Sequence, residues 1–354
     1  MSTTNHSSHD IDPSGDLTIK VIEYDTTTRD SEGKHPILKT ASFKVSRQTI
    51  IDSSKSQPLK VMLSGQFLEA HCKEVTFKED TIASVDLWLR CFHHAFDVAC
   101  YSIPIKEVWN ALAFAKKYLI EPLMLKDWFR KYWDRVDKEK LKLIGMRQFM
   151  YPAYAFDNPF AFAFVTKSLA YKSADHVTEI NPTHYRHLHL DGNVIGSING
   201  ARGTLRGKLI RGLFDPVSAF LKASCDCKEK ALFAYNMGVS KTGIWPLYEH
   251  HKKSVQEILD SKGFVNFEFV AGVRRTVQEH FDGLCLDCMT RTKSGSVDED
   301  YWDHDKDKAW SRGCSISHDQ PTWYFSFMGR KTDMERHQRE KQLNWERSRN
   351  FLGF

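Results

Sequence analysis

The chain lacks a long apolar run. Nowhere do about 18 apolar residues, the length of a spanning helix, follow one another unbroken, so no membrane-spanning helix is expected. Residues 1–14 are mostly Ser, Thr, His and Asp, with neither the basic flank nor the apolar stretch of a secretory signal. The expected compartment is therefore the cytosol or nucleus, where thiols stay reduced. The signatures of phosphate binding and hydrolysis are also missing: there is no G-x-x-x-x-G-K-S/T, no strand-borne G-x-G-x-x-G, no H-E-x-x-H and no G-x-S-x-G. Gly200-Ala201-Arg202-Gly203 lies within a helical run with no strand before it, and so makes no phosphate loop. Charge of one sign is not in large excess. The net +5 is set by 50 Lys and Arg against 45 Asp and Glu, too mild by itself to imply a nucleic-acid or membrane partner. An enzyme is not expected.

With 354 residues, 41% of them hydrophobic, the chain can build two domains and a further small module. Leu17-Thr18-Ile19-Lys20-Val21 and Ser42-Phe43-Lys44-Val45-Ser46 alternate apolar with polar, as half-buried strands do, and the polar residues 25–35 form the loop between them. Ser56 can cap a short helix with Pro58 in its first turn and Gly65 at its end. Its apolar face is Leu59, Met62 and Leu63. Val75-Thr76-Phe77 is a third strand. Residues 84–96 form a helix that is apolar nearly all round, so at least one of His93 and His94 faces the core. Val108, Leu112, Ala115 and Leu119 fall on one stripe of the clearest helix, residues 103–120. Glu121-Pro122 opens another, with Leu125, Trp128, Phe129 and Tyr132 inward. Short strands followed by helical hairpins predict an α+β fold.

The remaining chain divides by composition. Residues 1–14 read as a disordered tail and 15–137 as the α+β domain. Residues 138–224 form a helical extension, with helices at 141–151 and 160–171. A long helix capped by Asp191 runs to about Leu213, with Arg202, Arg206, Lys208 and Arg211 on its solvent side. Residues 225–329 form an irregular Cys-containing module with helical periodicity only at 254–259 and 274–281. Residues 330–354 form a charged helical tail.

The ordered series Asp16-Leu-Thr-Ile-Lys-Val, Phe43-Lys-Val-Ser-Arg, Leu59-Lys-Val-Met-Leu-Ser-Gly-Gln-Phe, Glu74-Val-Thr-Phe and the helices after it resembles the BTB/POZ core. Phe281-Asp-Gly-Leu-Cys-Leu-Asp-Cys-Met and Gln320-Pro-Thr-Trp-Tyr-Phe-Ser-Phe-Met-Gly-Arg resemble the C-terminal part of a group of filamentous-fungal BTB-like proteins. The resemblance implies a non-enzymatic interaction adaptor. Many BTB domains form homodimers, and many hold a cullin ubiquitin-ligase scaffold while the rest of the chain receives a substrate. Cullin-binding members carry a hydrophobic-x-Glu motif after the short helix, and Phe67-Leu68-Glu69 stands at that place. Phe67 could fill an apolar pocket and Glu69 could fix register with a partner base. Phe67 as a core side chain and Glu69 as a solvated turn residue fit the same string. The amphipathic helix that dimeric BTB domains carry before the first strand is missing from residues 1–14, so a homodimer would form without it.

Eight cysteines are expected to be core thiols or metal ligands and not disulfides. Cys225-x-Cys227, Cys285-x-x-Cys288 and Cys314-x-x-x-His318 have the spacings that let one turn supply two ligands to tetrahedral zinc. Cys285, Cys288, Cys314 and His318 are the favoured set. Cys225 and Cys227 could replace one pair or hold a second site with His280 or His304. An all-cysteine site, a three-cysteine one-histidine site and two separate sites all fit the spacing, as do simply buried thiols. A zinc here would be structural, since four protein ligands leave no place for a reacting water. The alternating His184, His187, His189 and Asp191 could hold a catalytic metal, but they fit better as a loop ending in an N-cap. A nucleic-acid-associated regulator using the cysteine region and the basic helix is the other alternative, and steep salt dependence would mark it.

Overall fold

The computed structural model describes residues 5–25, 27–29, 32–241, 245, 252–261, 270–291 and 315–316. The fold is α+β. The chain divides into two compact units, the first made of Met1–Leu141, Ala155–Asn158 and Asn181–His189, the second of Lys142–Tyr154, Pro159–Ile180 and Leu190–Phe354.

In the first unit, strands β1 (Asn5–Asp10), β2 (Leu17–Tyr24), β3 (Ile37–Val45) and β4 (Glu74–Lys78) form one sheet in the order β1-β3-β2-β4. β2 and β3 pair antiparallel, with Ile19 opposite Phe43, while β4 joins β2 in parallel, with Ile19 beside Val75. Period-two alternation sends Leu17, Ile19, Val21, Phe43, Val45, Val75 and Phe77 to one buried face. β1 lies where composition pointed to a disordered tail. It has no apolar alternation and is held by its parallel ladder to β3, the His6–Thr40 hydrogen bond (2.9 Å) and the His9 ring stacked on Phe43 at 5.2 Å.

The helices of this unit follow their caps. α1 (Arg47–Ser54) begins at Ser46, whose hydroxyl accepts from the Thr49 amide, and α2 (Gln57–Ser64) at Ser56, whose hydroxyl accepts from the Leu59 amide. α2 ends at Gly65, which turns to an extended backbone, and a Cβ there would stand 2.3 Å from the Val61 carbonyl oxygen. α3 (Ile82–Phe92) and α4 (Ile105–Lys117) carry the core, and the fully buried Trp88 donates its indole N–H to the Ala111 carbonyl (2.8 Å), joining the two. α5 (Lys126–Arg135) closes the hairpin, with Trp128 donating to the Cys100 carbonyl and Tyr132 to the Ile103 carbonyl. His93 is half-buried. Its Nδ1 faces the Leu89 carbonyl at 2.8 Å and its Nε2 accepts from the Ser46 amide at 3.0 Å, so it links the end of α3 to the start of α1.

The second unit is helical among the described residues. α6 (Leu143–Ala155), whose last residue belongs to the first unit, and α7 (Pro159–Lys172) precede α8 (Gly192–Lys222). Asp191 caps α8 by accepting from the Asn193 amide, as expected. The helix runs past Leu213 and through Pro216, and buries the stripe Val194, Ile198, Ala201, Leu205, Leu209 and Leu213. The module after Cys225 is less irregular than its periodicity suggested. It contains α9 (Lys228–Ser240), α10 (Val255–Leu259, with a Ser254–Glu257 capping box), α11 (Ala271–Gln278) and α12 (Leu286–Arg291). α9 buries only Tyr235 and Val239, too few positions to create a readable stripe. Among the described residues no helix is long and apolar enough to cross a membrane.

Candidate functional site

The loop between α2 and β4 is turned outward. After Gly65 the chain passes through Phe67 into a single 3-10 turn, Leu68–Ala70, that buries none of its residues. Phe67 is 57% and Leu68 78% exposed, and Glu69 is exposed with no side-chain hydrogen bond or ion pair among the described residues. Phe67 is thus not a core side chain. Pro58, Val61 and Met62 of α2 complete, with Phe67 and Glu69, an open groove of about 320 Å³. An apolar side chain beside an unpaired carboxylate, both solvated, can give a partner a desolvating anchor and a charge that fixes register.

Leu119 and Leu123 are also exposed, and the Ser56 hydroxyl at the start of α2 donates to the carbonyl of Tyr118. Leu119 has φ 51, a left-handed conformation costly for a branched apolar residue. The sequence pattern places Leu119 on the buried stripe of α4. That helix ends at Lys117, so the last expected position of the stripe is swung outward.

The cysteine candidates separate. Cys225 and Cys227 lie in the exposed turn between α8 and α9 and are joined to each other as a disulfide, with Cα atoms 5.3 Å apart. Such a bond, in place of the expected reduced thiols, would leave the pair no thiolate to offer a metal. Cys285 is fully buried, in a cluster with Ala163 and Ile316. The Asp287 carboxylate accepts from the Ser315 amide at 2.7 Å. The residue after Cys314 therefore lies against the Cys285–Cys288 turn. The Cys288 side chain, Cys314, His318 and His304 fall outside the described residues, as do residues 317–354 with the charged tail. Among the described residues no group of three or more His, Cys, Asp or Glu could hold a metal ion.

Nor does the histidine series form a metal-holding group among the described residues. The His184 and His187 rings lie 4.1 and 6.0 Å from the Tyr185 ring, and Asp191 is occupied as the α8 cap. His280 is half-buried, and desolvation, with Lys208 adding to it, holds its pKa down at about 4.

The basic face of α8 needs a correction. Arg202 and Arg206 are not on the solvent side. Both are half-buried and donate to the Ala174 carbonyl at 2.6 Å, and Arg206 also to the Lys253 carbonyl at 2.8 Å. Their burial lowers both guanidinium pKa values. Of the four bases, Arg211 is exposed and Lys208 half-buried.

Sequence reasoning found the Phe67-Leu68-Glu69 string but missed the α2 side of the groove, where Met62, expected on the inward face with Leu59 and Leu63, lines the groove instead. Val61, an apolar residue off the inward stripe of α2, was the readable signal for it. No family model, no curated protein and no solved structure matches the chain.

Proposed function

We propose that residues 15–137 are a BTB/POZ domain and that the chain is a non-enzymatic protein-interaction adaptor whose docking face is Phe67-Leu68-Glu69 with the α2 groove. The observation that carries this reading is an exposed Phe67 beside an unpaired Glu69 on the rim of an apolar groove. The strand–helix order through α5 supports the domain reading. A cullin scaffold is the partner that the motif implies, with the substrate held by residues after Lys138. The inward use of Arg202 and Arg206 leaves the nucleic-acid reading with less to stand on. When the purified chain is mixed with a purified cullin of the BTB-binding class, the two should co-elute. The double variant Phe67→Ala, Glu69→Ala should lose the complex, weakening it by about 30-fold or more, the size of one hot-spot loss. A folded wild-type chain that retains no cullin would sink the cullin reading.

A structural zinc bound by Cys285, Cys288, Cys314 and His318 is a second proposal, favoured by the Asp287–Ser315 contact. Such an ion would stabilise a region whose described helices are short. Metal analysis of the purified chain should find about one zinc, lost in Cys285→Ser, and chelation should lower the wild-type melting temperature. A metal-free, fully folded protein would remove the site.

A further inference from the structure

We propose that Arg47 is the positioning residue of the docking loop, holding residues 65–72 in the shape a partner meets. This rests on reading that loop as a docking site. The loop has little of its own to hold it. Its 3-10 turn buries nothing, Phe67 and Leu68 project into solvent, and its internal backbone hydrogen bonds are Ala70 N–H to the Phe67 carbonyl (3.1 Å) and His71 N–H to the Leu68 carbonyl (3.0 Å). No apolar side chain anchors it from within.

Arg47 supplies what is missing. Its guanidinium, with the side chain only 17% exposed, donates through Nη1 to the carbonyls of Leu63 (3.0 Å) and Glu69 (3.1 Å) and through Nη2 to the carbonyl of Cys72. Those acceptors are the last turn of α2, the middle of the 3-10 turn and the approach to β4. The Leu63 carbonyl is one that the end of α2 leaves without a helical donor. One planar fork therefore ties both ends and the centre of the loop together. A lysine, with a single nitrogen, cannot meet that geometry.

The other end of Arg47 is fixed in the fold. Its backbone amide donates to Asp16 Oδ1 at 2.9 Å, and the preceding Ser46 caps α1 and donates to His93. The contact of Nε with Asp16 Oδ2 is long, at 3.9 Å, so the guanidinium's close contacts are the three carbonyls and not a carboxylate. Arg47 thus carries the rigidity of the sheet and α3 into the loop, and a loop already ordered costs its partner less to bind.

The test uses the full chain as wild type, Arg47→Lys and Arg47→Gln. Amide hydrogen exchange at Ala70 and His71 should quicken about tenfold or more in both variants, with β2 and β3 amides unchanged. Affinity for the purified cullin should fall about tenfold with the melting temperature kept. Unchanged exchange in the loop overturns the proposal. So does protection lost equally across β2 and β3, which marks a general stabiliser. If the wild-type chain binds no cullin, the cullin reading fails on that arm alone and the exchange arm still decides the role of Arg47.

Discussion

Gly283→Ala should destabilise the second unit by about 4 kcal/mol or more, at the upper end of single-substitution effects. Gly283 has φ +96, and a Cβ there would stand 2.0 Å from the Ala163 carbonyl oxygen and 2.7 Å from its carbon. Neither atom can yield, because both belong to the backbone of α7. The segment around Gly283 is held on the same helix. The Leu284 amide donates to the Thr166 hydroxyl at 2.8 Å, and the Phe281 amide to the Tyr171 hydroxyl, which itself donates to the Val277 carbonyl at 2.6 Å. Relief of the clash must lift Phe281, Leu284 and Cys285 from burial, and lost apolar contact is added to backbone strain. Gly203→Ala is the control, since a Cβ there meets nothing within 4 Å. It should be neutral or stabilise by up to about 1 kcal/mol. Chemical unfolding followed by circular dichroism separates the two, and equal midpoints for Gly283→Ala and wild type would contradict the packing described.

Lys117→Met should cost about 2 kcal/mol at pH 7, and much less in acid. Asp80, its side chain 4% exposed, accepts from Lys117 at 2.9 Å and from the Tyr118 hydroxyl at 3.0 Å. Burial raises the Asp80 pKa above 3.8, against the opposing pull of Lys117. In the window between 3.8 and that raised value the folded protein binds more protons than the unfolded chain, so this group's contribution falls as pH rises. Removing Lys117 raises the folded pKa further and widens the window upward. The loss is then greatest above it and vanishes once the carboxyl is protonated in both states. Lys117 is 41% exposed, which keeps the figure below that for a fully buried pair. Urea midpoints at pH 7 and near the lower edge of the window test this, and an equal loss at both would contradict it.

Legibility from sequence followed the physics that made each element. α2 was readable because its three signals, Ser56, Pro58 and Gly65, are local, and β2, β3 and β4 because alternation is local too. α1 was not, since it buries only Ile50 and Ser54. β1 is held by main-chain pairing with residues more than 30 positions away, which no side-chain pattern records. The Phe67-Leu68-Glu69 triplet was visible as a string, but whether Phe67 faced core or solvent depended on where Gly65 turned the chain. The reach of Arg47 to three carbonyls, and of Arg202 and Arg206 to Ala174, follows from tertiary placement. In the sequence these residues look like ordinary helix-surface charges. The outward Leu119 needed the end of α4 at Lys117, two residues before its apolar stripe gives out.

The central claim is that the chain docks a protein through the α2 groove and the Phe67 loop, and a hydrogen-exchange footprint of a saturating BTB-binding cullin on the full chain tests it most directly. Slowed exchange over residues 59–70 is the predicted result, with the second unit unchanged. Binding whose footprint falls only outside those residues, or no footprint at all, would contradict it.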